Sequence, residues 1–181
     1  MRIIGGEFKR RELVAPKGLQ TRPTSSMLRE TLFNICQMEI EEADFLDLCA
    51  GSGAIGFEAL SRGAASVTFV ENQREACLAI EKNIHLLKVE NRVIKAFGEV
   101  LKVVKRLKRD YNLIYIDPPY RTGLSTILLE AVETEKLLRT GGRLFIEEAH
   151  GVDLPQEVGH LYLIDSRKAG KSLLWQYTVT S

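Results

Sequence analysis

From residue 44 onward the chain alternates short, almost wholly apolar runs with longer stretches in which apolar residues recur every three or four positions. The runs Phe45-Leu46-Asp47-Leu48, Ser66-Val67-Thr68-Phe69-Val70-Glu71, Arg92-Val93-Ile94, Leu113-Ile114-Tyr115-Ile116-Asp117 and Arg143-Leu144-Phe145-Ile146-Glu147 have the content of strands buried on both faces. Helices are predicted between them, over about 54–62, 73–88, 99–109 and 124–138. The second places Ala76, Ile80, Ile84 and Leu87 on one face. The third buries Val100, Val104 and Leu107 and carries Lys102, Lys105, Arg106 and Arg109 on the other. Strand–helix units joined by short loops imply a parallel sheet covered on both faces, an α/β fold. The end of the chain departs from this rule. Leu161-Tyr162-Leu163-Ile164 and Leu173-Leu174-Trp175-Gln176-Tyr177 flank Lys168-Ala169-Gly170-Lys171 with no helix between, which predicts an antiparallel hairpin and a total of seven strands.

The 181 residues, 45% hydrophobic and 27% charged, suit a single domain that buries its core without a disulfide or metal staple. Three cysteines, Cys36, Cys49 and Cys77, have no CxxC spacing, so structural zinc and a disulfide framework are not expected. No apolar run approaches the ~20 residues that span a bilayer, and Met1-Arg2-Ile3-Ile4-Gly5-Gly6 is not a signal peptide. A cytoplasmic protein without membrane contact is the expectation. The net charge of +1 excludes a uniformly basic nucleic-acid coat, yet residues 1–30 hold seven basic side chains against three acidic ones. Such a segment on a near-neutral body suggests an arm that meets a polyanion. Within it, Arg2-Ile3-Ile4 and Glu12-Leu13-Val14 read as a short hairpin, Pro16, Gly18 and Pro23 as a loop, and Leu28, Leu32 and Ile35 as one face of a helix capped by Thr24, Ser25 or Ser26. This extension, residues 1–38, is expected to precede a main domain over 39–181.

Asp47-Leu48-Cys49-Ala50-Gly51-Ser52-Gly53-Ala54-Ile55-Gly56 ends a strand and opens a helix. Glycines there allow backbone torsions and a close ligand approach that a Cβ forbids. Glu71 ends the next strand, where a carboxylate can accept hydrogen bonds from ribose hydroxyls. The glycine spacing alone is shared with dinucleotide-binding proteins. Asp47 discriminates, because a carboxylate beside this turn repels a pyrophosphate and attracts a cofactor carrying an ammonium and a sulfonium.

Asp117-Pro118-Pro119-Tyr120 lies where the fourth strand ends. Two consecutive prolines force the chain out of the sheet and hold the Pro118 carbonyl rigidly. With the Asp117 carboxylate and the Tyr120 ring, this makes a receptor for a planar group bearing an NH₂: two acceptors for its N–H bonds and a face to stack on. The exocyclic amine of a nucleobase is a poor nucleophile, since its lone pair is delocalised. Hydrogen bonds from both N–H groups favour a pyramidal nitrogen and stabilise the positive charge that develops on methylation. Neither Cys49 nor His85, His150 or His160 is placed by the sequence as a nucleophile.

The two motifs together resemble those of S-adenosylmethionine-dependent amino-group methyltransferases. Over nearly its whole length the chain resembles the RsmD-type 16S ribosomal RNA guanine-N2 methyltransferases. The resemblance runs through Arg2-Ile3-Ile4-Gly5-Gly6, Arg22-Pro23-Thr24, Arg29-Glu30-Thr31-Leu32-Phe33-Asn34, Asp47 to Gly56, Glu58-Ala59-Leu60-Ser61-Arg62-Gly63-Ala64 and Asp117-Pro118-Pro119-Tyr120. It implies a Rossmann-like class I methyltransferase fold and methylation of N2 of one guanine, at position 966, in the small ribosomal subunit or its assembly intermediate, by a monomer. It also implies that Thr24, Arg29, Asp47, Ala50, Gly51, Gly53, Glu71, Asn72, Gly98 and Glu99 surround S-adenosylmethionine. Asp117, Pro118, Pro119 and Tyr120 would hold the guanine, and Lys9, Arg10, Arg11, Arg22 and Arg121 the RNA. The chain departs from the family pattern at Ser26, where an Asp is usual, and at Phe97, where a small polar or acidic residue is usual. Two rivals remain on sequence grounds: an amino-group methyltransferase of transfer RNA, DNA adenine or protein glutamine, and a catalytically silent RNA-binding protein.

Overall fold

The computed structural model describes residues 1–16 and 25–179. The apolar runs become β1 (Asp44–Leu48), β2 (Ser66–Val70), β3 (Val93–Lys95), β4 (Tyr111–Ile116) and β5 (Leu138–Ala149). They pair in parallel in the order β3-β2-β1-β4-β5. Between them run α2 (Ala54–Ser61), α3 (Arg74–Leu87), α4 (Val100–Val104) and α5 (Leu124–Thr134), and α1 (Ser26–Ile35) precedes them all. β5 then pairs antiparallel with β8 (Ser172–Val179), β8 with β7 (Leu161–Ala169), and β7 with β6 (Glu157–Val158). The seven expected strands are present; β6, two residues at the edge, is an addition too short for any sequence period to reveal.

Alternation along the strands divides the core. Phe45, Leu113, Tyr115 and Phe145 join Phe33 and Phe57 on one face of the sheet. Leu46, Ile114, Ile116, Leu144 and Ile146 join Leu128 and Leu129 on the other. The chain winds outward from β1 through β2 to β3, then returns to β4 on the other side of β1. That reversal opens a crevice beyond the carboxyl ends of β1 and β4, the place where open α/β sheets bind ligands. No helix among the described residues is long and apolar enough to cross a membrane.

Three elements differ from the sequence reading. The helix expected over 99–109 is only Val100–Val104, because the chain must turn back early to bring Tyr111 into β4, and the Arg109 guanidinium is drawn to Asp44. The helix expected to reach 138 stops at Thr134; Lys136 takes a φ of 51°, and β5 starts at Leu138. The N-terminal hairpin has one bridge, Arg2 to Glu12, with Ile3 N donating to Arg11 O at 3.0 Å and Leu13 N to Met1 O at 2.7 Å. A longer ladder does not form because its donors go to α2. Ile4 N and Gly5 N bond the Glu58 carboxylate at 2.9 and 2.8 Å, and Phe8 N bonds Ser61 Oγ at 2.8 Å. Ile3, Leu13, Leu28 and Leu32 then complete the same core cluster as Phe45 and Phe57.

Candidate active site

The turn after β1 faces the crevice. Asp47 is buried, with Oδ2 accepting the Gly56 N–H at 3.0 Å in the first turn of α2. A helix N-terminus favours a carboxylate, but burial outweighs it and, with the charge of Glu71, pushes the Asp47 acid up to about 8. Cys49, Gly51 and Gly53 have φ of 61°, 55° and 75°, so the chain doubles back within five residues. The two glycines serve different ends. A Cβ on Gly53 would lie 2.8 Å from the Phe57 ring, whereas one on Gly51 would meet nothing within 4 Å. Gly51 therefore borders open space, the room a ligand's backbone approach requires.

Glu71 sits immediately beyond β2, 8% exposed. Its Oε2 accepts the Gly51 N–H at 2.7 Å and its Oε1 those of Asn72 and Gln73 at 2.8 Å. A carboxylate offers about four acceptor directions. One direction stays open for a ribose hydroxyl, and a second would require the Gly51 N–H to give up its place. Gly98 N bonds Glu71 O at 2.8 Å, so residues 96–98 continue alongside β2. Phe97 packs against the core cluster that includes Phe57 and Phe69.

The Asp-Pro-Pro-Tyr loop leaves β4 beside this turn: Asp117 N donates to Leu48 O at 3.3 Å, joining it to the last residue of β1. Pro118 is buried, Pro119 exposed and Tyr120 half-buried. The Tyr120 hydroxyl donates to Glu147 on β5, which also accepts from Tyr115 at 2.6 Å and Ser172 at 2.9 Å. Burial and the Glu147 carboxylate hold the Tyr120 phenol above its ordinary pKa, hence neutral and donating. The next residue, Arg121, has φ 59° and gives its N–H to Glu148 at 3.2 Å; Glu148 also accepts from Ser125 Oγ at 2.7 Å and Ala149 N at 2.8 Å. Glu147 and Glu148 therefore lace the loop to the sheet.

Glu71, Asp117 and Glu147, joined by Asp47 once it ionises, form an acidic rim at the ends of four neighbouring strands, suited to a cationic ligand. Burial, then Glu71, Asp117 and Asp47 in turn, push the Cys49 thiol up to about 12, which removes it as a nucleophile near neutrality. The rim brings together Asp47, Ala50, Gly51, Gly53, Glu71, Gly98 and the Asp117–Tyr120 loop, with Asn72 present through its backbone. Glu99 is exposed and paired with Lys102 at 2.6 Å. Arg29 is buried against Glu58 at 3.6 Å and donates to Arg2 O at 2.9 Å. Lys9, Arg10 and Arg11 are exposed on the N-terminal arm, and Arg121 is exposed beside the loop. Thr24 and Arg22 lie outside the described residues. Sequence reasoning missed Glu147, Glu148 and Ser172; the available signal was a pair of acids ending an apolar strand, as Glu71 and Asp117 do on β2 and β4.

A family model described as conserved hypothetical protein 95 matches residues 1–178. Ribosomal RNA small subunit methyltransferase D of Escherichia coli strain K12 is 34% identical over 172 residues, covering 94% of this chain and 86% of that protein. The Bacillus subtilis protein YlbH is 32% identical over 166 residues, 90% of each. The solved structure of Escherichia coli yhhF superposes with a TM-score of 0.89 at 33% identity, covering 99% of this chain and 98% of the other.

Proposed function

Because the chain belongs to the RsmD family, the group described as conserved hypothetical protein 95, we propose that it methylates N2 of one guanine, position 966, in 16S ribosomal RNA. Its cofactor is S-adenosylmethionine, and it acts as a cytoplasmic monomer on the small ribosomal subunit or an assembly intermediate. The single observation that supports this most is the hydrogen bond from Asp117 N to Leu48 O. It joins the loop read as the amine receptor to the turn read as the cofactor site.

When bound, S-adenosylmethionine supplies a methyl group made electrophilic by its sulfonium. The chain's own residues do the rest. Asp47 attracts the cationic end of the cofactor, Glu71 accepts from the ribose, and Gly51 leaves space for both. Asp117 and the Pro118 carbonyl accept the two N–H bonds of the guanine amine, and its base stacks on the Tyr120 ring. Tyr120 is tied by its hydroxyl to Glu147, so the stacking plane is set before the base arrives. Positive charge growing on the nitrogen is met by the Asp117 carboxylate, which can accept the proton that the methylated amine sheds. Positioning and electrostatics carry the rate, with no covalent enzyme intermediate. Residues 1–38 form the RNA-contacting extension of the 39–181 domain, with Lys9, Arg10, Arg11, Arg22 and Arg121 meeting phosphates.

The test offers labelled S-adenosylmethionine with unmodified small subunits, naked ribosomal RNA, transfer RNA or DNA. Label entering guanine of 16S RNA is expected, most strongly in the particle. Label in DNA or transfer RNA alone overturns the reading.

A further inference from the structure

Tyr120 also forms a wall of an open pocket of about 400 Å³, lined as well by Arg121, Ala149, His150 and Lys171. That volume falls among small-ligand sites. Three chain segments build it: the loop after β4, the residues at the end of β5, and the β7–β8 turn. Three of the five side chains carry nitrogen donors, and no carboxylate lines it. Glu147 and Glu148 are 5% and 1% exposed and spend their oxygens on inward partners. Arg121 is not a loose cation, since its N–H is held by Glu148 and its Nη2 donates to His150 O at 3.3 Å. The buried His150 Nε2 has no hydrogen-bond partner among the described residues. Lys171 is exposed and has no carboxylate partner among them.

An acidic rim that attracts a cationic cofactor also repels the phosphates of an incoming RNA strand, so a base can be delivered there only if its backbone is compensated nearby. We infer that the Tyr120–Lys171 pocket holds a backbone phosphodiester adjoining the target nucleotide. Arg121 and Lys171 donate to its oxygens and so keep the extruded strand in place. The shared wall fixes the relation: the base lies on Tyr120, and its neighbouring phosphate lies behind it. The inference rests on the ribosomal RNA methyltransferase reading and deepens it by assigning a strand-holding site.

Lys171→Gln and Arg121→Gln test it, with Lys82→Gln, an exposed change on α3, as the control. Methyl transfer to unmodified small subunits is measured against salt, and S-adenosylmethionine binding by calorimetry. The inference expects both pocket variants to raise KM for subunits several-fold with kcat little changed. Each should lower the log–log salt slope by about 1, with cofactor affinity intact and the control unaffected. Unchanged salt slopes in both pocket variants, in a protein that methylates subunits normally, overturn the pocket assignment alone. It is likewise overturned if inorganic phosphate at constant ionic strength binds through Lys171 while the RNA slopes stay unchanged, since the site then serves a free anion. Failure of the wild-type protein to methylate subunits at all sinks the parent reading, and the pocket with it.

Discussion

The Asp47 carboxyl gives the site a pH dependence that can be worked in advance. Burial raises its pKa to about 8, with the Glu71 charge adding in the same direction and the Gly56 N–H opposing. At pH 6 roughly 1% of such a group is ionised, and at pH 7 roughly 9%. A cofactor whose cationic end requires the carboxylate therefore binds close to tenfold more tightly at pH 7 than at pH 6, a gain of about 1.4 kcal/mol. Its own amine, titrating near 8 like other α-amino groups, stays charged over that interval. Calorimetric titration of S-adenosylmethionine at pH 6, 6.5 and 7, in buffers of differing ionisation enthalpy, should show this gain with release of nearly one proton. Asp47→Asn should bind more weakly at pH 7 and show neither slope nor proton release. A flat wild-type profile, or the same slope in the variant, refutes the role given to Asp47.

The same group bears on stability. Its folded pKa lies above the unfolded value, so its stabilising contribution is full below pH ~4 and is lost as pH rises toward 8. Relative to Asp47→Asn, the cofactor-free protein should lose about 1.4 kcal/mol per pH unit between pH 5 and 7, read by urea unfolding. Asp117→Ala removes one amine acceptor and should lower kcat by roughly 10²-fold or more while cofactor and RNA binding persist; surviving turnover refutes the amine receptor. Glu58→Ala strands the buried Arg29 guanidinium and frees the Ile4 and Gly5 amides. It should cost about 3 kcal/mol in urea unfolding, and a loss below 1 kcal/mol would mean the arm is not anchored there. Arg10→Ala with Arg11→Ala should weaken RNA binding and lower the salt slope by about 2, leaving cofactor affinity unchanged; an unaltered slope removes the arm from the interface.

What could be read in advance follows from what sequence encodes locally. Apolar runs such as Leu113–Ile116 and the turn at Gly51–Gly53 carry their structure in composition, so the parallel sheet and the two loops at the crevice were legible. The ends of elements were not, because they depend on distant partners. Arg109 turns toward Asp44, and Ile4 and Gly5 leave a hairpin ladder for a carboxylate more than fifty residues away. Arg29 shows the same limit from another side: the family resemblance implies a place near the cofactor, and nothing local in the sequence reveals its contact with Glu58. Glu147 could be marked as an acid ending an apolar strand, but its role needed the fold, since nothing in Ile146-Glu147-Glu148 reveals that the Tyr115, Tyr120 and Ser172 hydroxyls converge on it.

The most direct measurement is mass mapping of 16S ribosomal RNA from cells lacking the protein, complemented with the wild-type chain or with Asp117→Ala. One N2-methylguanosine should vanish on deletion, return with the wild-type chain and stay absent with the variant. An unaltered set of modified guanines on deletion, or restoration by Asp117→Ala, would contradict the account.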